Sequence, residues 1–81
     1  MSVDQHVYHI LTVTGFSENS FDEAAKNAVQ GGWENHHDEF EAFVSYEVIR
    51  MHGPIEMVEE KPRVGYAATV AISAIHRPHA H

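Results

Sequence analysis

One stretch of this sequence carries the spacing of a buried helix face, and most of the remainder alternates. Phe21, Ala24, Ala25, Ala28 and Val29 fall at i, i+3, i+4, i+7 and i+8, the repeat of a helix that covers an apolar surface. Ser20 and Glu23 fit a capping box, with the Ser20 hydroxyl accepting an early helical N–H and Glu23 reaching back to the Ser20 N–H. Asp22 and Glu23 also suit the positive end of the helix dipole. Gly31-Gly32 offers a stop, since glycine commonly closes a helix. A single helix of this kind can cover only one face of a sheet, and that limits what the rest of the chain can do.

The alternating segments read as strands. Val7, His9, Leu11 and Val13 share one face and Tyr8, Ile10, Thr12 and Thr14 the other, with Gly15 ending the run in a polar turn to Asn19. β-Branched and aromatic residues dominate on both faces. From Ala42 to Met57, Phe43, Ser45, Glu47, Ile49 and Met51 alternate with Val44, Tyr46, Val48 and Arg50. Gly53-Pro54 bends or ends that strand. Glu59-Glu60-Lys61-Pro62 reads as a turn, and the charge run around it as solvated. Val64 to Ile75 forms the last strand, with Val64, Tyr66, Ala68, Val70, Ile72 and Ala74 on one face and small residues on the other. The segment from Trp33 to Glu41 has two readings, a helix continued past the glycines or a polar loop. The order strand, helix, strand, strand predicts an α+β fold, a three-stranded antiparallel sheet wrapped on one helix, in a single unit over residues 7–75 with a polar tail at 76–81. The uncovered sheet face then calls for a partner, and a second copy of the chain supplies one.

Composition agrees. With 43% hydrophobic and 21% charged residues, the 81-residue chain is globular. A domain this small buries only about 60% of the surface its unfolded chain exposes. Cysteine is absent, so disulfides and thiolate metal sites are not available to support it. Oligomerisation is the expected support. Five Lys and Arg against twelve Asp and Glu give a formal charge of −7, which argues against nucleic acid and against an anionic membrane surface. Protonating all eight histidines would carry that charge past zero to +1, so it shifts steeply as pH falls through about 6.5. No apolar run approaches the roughly 20 residues of a membrane span. No signal peptide is visible at the start, and a cytoplasmic location is expected.

Val7-Tyr8-His9-Ile10-Leu11, Gly15 and Ser20-Phe21-Asp22-Glu23-Ala24-Ala25-Lys26-Asn27-Ala28 together resemble the start of the dodecins, whose pattern is V-Y-K-I-I, a glycine, then S-W-E-E-A-V-K-N-A. Tyr46-Glu47-Val48-Ile49, Gly53 and Ile55 resemble the family's F-E-V-V, glycine and isoleucine, and Tyr66-Ala67-Ala68-Thr69-Val70-Ala71-Ile72 its Y-Q-V-T-L-K-V strand. The resemblance spans residues 7–75. It implies β-α-β-β subunits in hollow twelve-subunit spheres that bind flavins, or related aromatic ligands, near two-fold axes, and store them without turnover.

Two of the family's ligand-binding positions are replaced. Its stacking tryptophan falls at Ser45 and its ring-edge glutamine at Met51. An aromatic face and an amide donor and acceptor are lost together. The segment between helix and second strand is a few residues longer than in the family, and contains Trp33 and the pair His36-His37. Either Phe43 or Trp33 supplies a new aromatic platform, with Ser45, Met51 and His52 lining the site, or the assembly persists without its flavin. In that second case it binds metal or serves as a shell.

Imidazole and carboxylate at His36, His37, Asp38 and Glu39 suit a divalent metal. Adjacent residues rarely converge on one ion, so symmetry-related subunits would have to share it, and a solvated loop is the simpler reading. His6 and His9 face opposite sides of a strand and pair poorly; His76, His79 and His81 form a loose tail. Glu47, mid-strand, calls for Arg50 or Arg63 if it is buried. No nucleophile elbow or phosphate loop is present, and no catalytic residue is expected. The competing enzyme reading, a small dimeric α+β barrel with His9 or His37 as general base, asks for a second helix in each subunit.

Overall fold

The computed structural model describes residues 8–78. Strand β1 (Tyr8–Ser17) leads through a short turn into helix α1 (Phe21–His36), then strand β2 (Phe40–His52), a hairpin of β3 (Ile55–Val58) and β4 (Lys61–Val64), and strand β5 (Tyr66–His76). The three long strands form one antiparallel sheet in the order β1-β5-β2, so the last strand lies in the centre. This is the expected α+β fold with a separate two-stranded hairpin added.

Helix α1 begins where expected. Glu23 N–H donates to the Ser20 hydroxyl at 3.1 Å, and Ala24 N–H to the Ser20 carbonyl at 3.0 Å. Only half of the capping box forms, however. The Ser20 N–H donates to the Ser17 hydroxyl at 3.3 Å, while the Glu23 carboxylate accepts from the Ser17 hydroxyl and from the Asn19 amide. Those two hydrogen bonds, the Ser17 one first, hold the Glu23 carboxyl below its ordinary pKa, because they favour the charged form.

Neither glycine signal marks the end of an element. Strand β1 runs through Gly15 to Ser17, so Gly15 is not the end of the strand. It is the point where α1 crosses β1 at backbone distance: a Cβ there would lie 2.3 Å from the Ala24 carbonyl oxygen and from Ala28 N. The Asn27 side chain donates to the Phe16 carbonyl at 2.7 Å and pins the same crossing. Gly31-Gly32 does not stop the helix either. The helix continues to His36 and closes at His37, whose backbone N–H reaches the Trp33 carbonyl at 2.9 Å. A Cβ at Gly31 would meet nothing within 4 Å. Gly31→Ala is therefore expected to stabilise the protein by about 1 kcal/mol, the helix-propensity difference, read as a higher urea midpoint.

Strand β2 carries three register irregularities against β5, between Phe40 and Ala42, Phe43 and Ser45, and Val48 and Arg50. Each extra residue reverses the in-out phase. Residues opposite each other in a ladder share a face, so Phe43, Tyr46, Val48 and Met51 lie on the helix side, opposite Ala74, Ile72, Val70 and Ala68. Ser45, Glu47, Arg50 and His52 lie on the open side, opposite Ser73, Ala71, Thr69 and Ala67. Strict alternation had placed Phe43, Ser45, Glu47 and Met51 on one face; the bulges separate them. Glu47 is exposed and does not need the arginine partner its burial would have required, and Arg63 approaches Glu18 instead, at 4.0 Å.

The predicted turn at 59–62 narrows to Glu59 and Glu60, with φ of 52° and 65°, the two left-handed residues of a tight hairpin. Lys61 and Pro62 belong to β4, as does Val64, which was expected in the last strand. Gly65 N–H donates to the Pro54 carbonyl at 2.8 Å and closes the hairpin base. At the other end, His76 is the last residue of β5 and not part of the tail; His6, His79 and His81 lie outside the described residues.

The core is small. Ala24, Ala25 and Ala28 of the helix pack on Ala68, Val70 and Ile72 of β5. Val70 and Ile72 are the only large side chains fully buried among the described residues. Against them stand exposed Tyr8, Ile10, Phe16, Val44, Tyr46 and Ile49 on the sheet strands and Ile55, Met57 and Val64 on the hairpin. The folded chain is 62 Å long and only 13 Å thick, so much of its apolar surface has nothing in the same chain to cover it.

Candidate functional site

Helix α1 lies over β1 and β5 and scarcely reaches β2. The seam between its C-terminal half and the start of β2 is therefore open. Trp33 enters this seam because the helix persists past the glycines, which puts it one turn beyond Val29 and Gln30 on the same face. Phe43 enters from the other side because the bulge at Val44 turns it toward the helix while Ser45 turns away.

The two rings meet edge to face, with centroids 5.1 Å apart and planes at 82°. Phe40 continues the row, 5.9 Å from Phe43. On the other flank His37 lies 6.0 Å from Trp33. Trp33 remains 38% exposed, so its ring wall is available to a ligand. The shallow cleft beside it has a volume of about 610 Å³ and is lined by Val29, Gln30, Trp33, Glu34, Glu41 and Phe43, together with Ala42. A smaller hollow of about 170 Å³ shares Val29 and Phe43 with it and reaches Ser45.

Of the residues singled out in the sequence, Trp33 and Phe43 come together and Ser45 borders the adjoining hollow. Met51 and His52 do not join them. They pair with Ala68 and Ala67, six and seven residues along β5 from Ala74, the partner of Phe43, about 20 Å or more at strand spacing, and on opposite faces. Within one chain they cannot touch a small ligand held at Trp33. Gln30 was missed, although its amide restores a donor and an acceptor beside the aromatic pair. Its only signal in the sequence is the three-residue spacing to Trp33, which counts once the helix is known to continue.

The histidine pair finds local uses. The His37 Nδ1–H donates to the Trp33 and Glu34 carbonyls at 3.1 and 3.2 Å, since a carbonyl can only accept. This satisfies helix-end groups that otherwise lack partners. His36 Nδ1 lies 3.7 Å from a Glu39 carboxylate oxygen, and His37 Nε2 lies 3.4 Å from Asp38. Among the described residues no three His, Asp or Glu side chains gather as a metal site. His9 stacks 4.7 Å from His76 with Phe40 edge-on to both. No described helix is long and apolar enough to cross a membrane.

Two other open concavities flank Pro54 and Gly65 at the hairpin base, about 430 and 480 Å³ in volume. The first has no aromatic wall. The second has Phe16 and Tyr66, of which Tyr66 already packs edge-on against Phe21 at 5.0 Å.

The sequence matches no family model and no curated protein. Solved structures do match. The chain superposes on a dodecin from Streptomyces davaonensis with a TM-score of 0.70 and 14% identity, over 94% of this chain and 100% of that one. A dodecin from Streptomyces coelicolor gives 0.68 and 19%, over 96% and 100%. At these identities the likeness is one of backbone, and it extends over nearly the whole chain: the protein has the dodecin fold.

Proposed function

We propose that this chain assembles into a closed homo-oligomer, of twelve copies if it follows the dodecins, and that it binds and holds a planar small molecule without turning it over. The observation that carries the binding role is the open seam in which Trp33 and Phe43 stand edge to face beside a shallow cleft. Gln30 offers the amide that Met51 lacks, while Ser45, turned to the open face, borders only the adjoining hollow. The assembly is supported by the fold and by the surplus of exposed apolar side chains over buried ones. Met51 and His52 would contribute only from a neighbouring subunit, across an interface. A flavin ring has the planarity and size for the seam, and riboflavin is the natural first ligand to try.

Riboflavin titrated into protein sized by light scattering should show saturable quenching of flavin fluorescence by a large oligomer. Trp33→Ala should raise the dissociation constant at least about fivefold, the equivalent of about 1 kcal/mol of lost stacking. An oligomer that leaves riboflavin fluorescent at every concentration would reduce the reading to an empty shell. A stable dimer would remove the dodecin assembly itself.

A further inference from the structure

The charge around the seam narrows the ligand class. Glu34 on α1 and Glu41 on β2 stand on opposite banks of the cleft beside Trp33 and Phe43, both exposed, and no Lys or Arg lines it. The chain as a whole carries −7, so the wider field has the same sign. A half-exposed indole wall attracts a cation through its ring quadrupole, and carboxylates on both banks add to that attraction. A phosphate held in the same cleft would meet two carboxylates with no arginine to offset them. We infer that the Trp33–Phe43 seam selects planar aromatic cations, accepts uncharged planar rings more weakly, and excludes phosphorylated ones. This rests on the seam being the ligand site, as proposed above.

Three planar three-ring probes separate the two ideas: proflavine as a cation, riboflavin as a neutral ring, and riboflavin 5′-phosphate as an anion. Each is titrated into the intact oligomer, with binding measured by equilibrium dialysis and by quenching of Trp33, the single tryptophan of the chain. Proflavine is expected to bind at least about tenfold more tightly than riboflavin, and the phosphate at least about tenfold more weakly, at low salt where exposed charges are least screened. The double substitution Glu34→Gln, Glu41→Gln should weaken proflavine at least about tenfold. Glu59→Gln with Glu60→Gln removes the same charge from the distant hairpin turn and should leave proflavine binding where it was, which separates a local effect from net charge.

Equal affinities for all three probes, with Trp33 quenched by each, would overturn the charge selection and leave the seam as a ligand site. Tighter binding of the phosphate would overturn it in the same way. If none of the three quenches Trp33, both the selection and the seam as a planar-ligand site fall. Proflavine loss on substituting Glu59 and Glu60 as large as that on substituting Glu34 and Glu41 would assign the preference to overall charge, and also overturn the inference.

Discussion

Gly15→Ala is expected to destabilise the folded chain by about 3 kcal/mol, the upper end of what an overpacked methyl group costs. The added carbon would lie 2.3 Å from the Ala24 carbonyl oxygen, 2.3 Å from Ala28 N and 2.7 Å from Ala28 Cα. All three are backbone atoms of α1, so no side-chain rotation relieves the clash. The helix must lift from β1. Lifting it would loosen the packing of Ala24, Ala25 and Ala28, now at most 4% exposed, on Val70 and Ile72. Backbone conformation is not the issue, since no described glycine has a positive φ. A chain of 81 residues has a total stability of about 4–12 kcal/mol at the usual value per residue, so the loss is a large share of it. Urea unfolding at fixed protein concentration measures the change, with Gly31→Ala as the internal control that should move the other way. A Gly15→Ala protein as stable as the parent would mean that the helix does not rest on β1 at backbone distance.

Glycine also marks where the sequence stopped being readable. In sequence a glycine signals a turn, a helix end or a close approach, and nothing local chooses among them. Gly15 served the close approach and Gly31-Gly32 served nothing that halts a helix, because tertiary packing outweighs a propensity penalty of about 1 kcal/mol per glycine. The elements themselves were plain: the first strand's alternation, the helix face from Phe21 to Val29 and the last strand are all present, with the first strand running past Gly15 to Ser17 and the last starting at Tyr66 instead of Val64. Strand β2 was found but its faces were not. A period of two assumes an unbroken ladder, and three bulges reset the phase within one strand. The candidate site suffered from both gaps. Trp33 and Phe43 were recognisable as aromatic candidates, but their meeting depends on a helix that ignores its glycines and on a bulge that re-aims Phe43. Gln30 could not be added until the first of those was known.

Ile72→Ala is expected to cost about 4 kcal/mol, in the upper half of the range for truncating a buried isoleucine. Ile72 is 0% exposed and sits centrally on β5 beneath the helix. The size of the effect depends on whether the site can collapse, and Gly15 is what prevents it. With α1 already seated on β1 at backbone distance, the helix cannot sink to fill a hole under its next turns. Above Ile72 the helix surface is bare: a Cβ on Gly32 would lie 3.5 Å from Ile72 Cδ1, an ordinary contact. Gly32→Ala should therefore gain about 1 kcal/mol of helix propensity in either background, and about 1 kcal/mol beyond that in the Ile72→Ala background, where its methyl group points at the new cavity. A double-mutant cycle by urea unfolding reads the excess directly. Strict additivity would show that the void does not open beneath Gly32. A small loss on Ile72→Ala alone would carry a wider meaning. It would show that the packing of helix on sheet does not supply most of the stability of a chain with only two large side chains fully buried among its described residues, and would leave that share to the proposed contacts between copies.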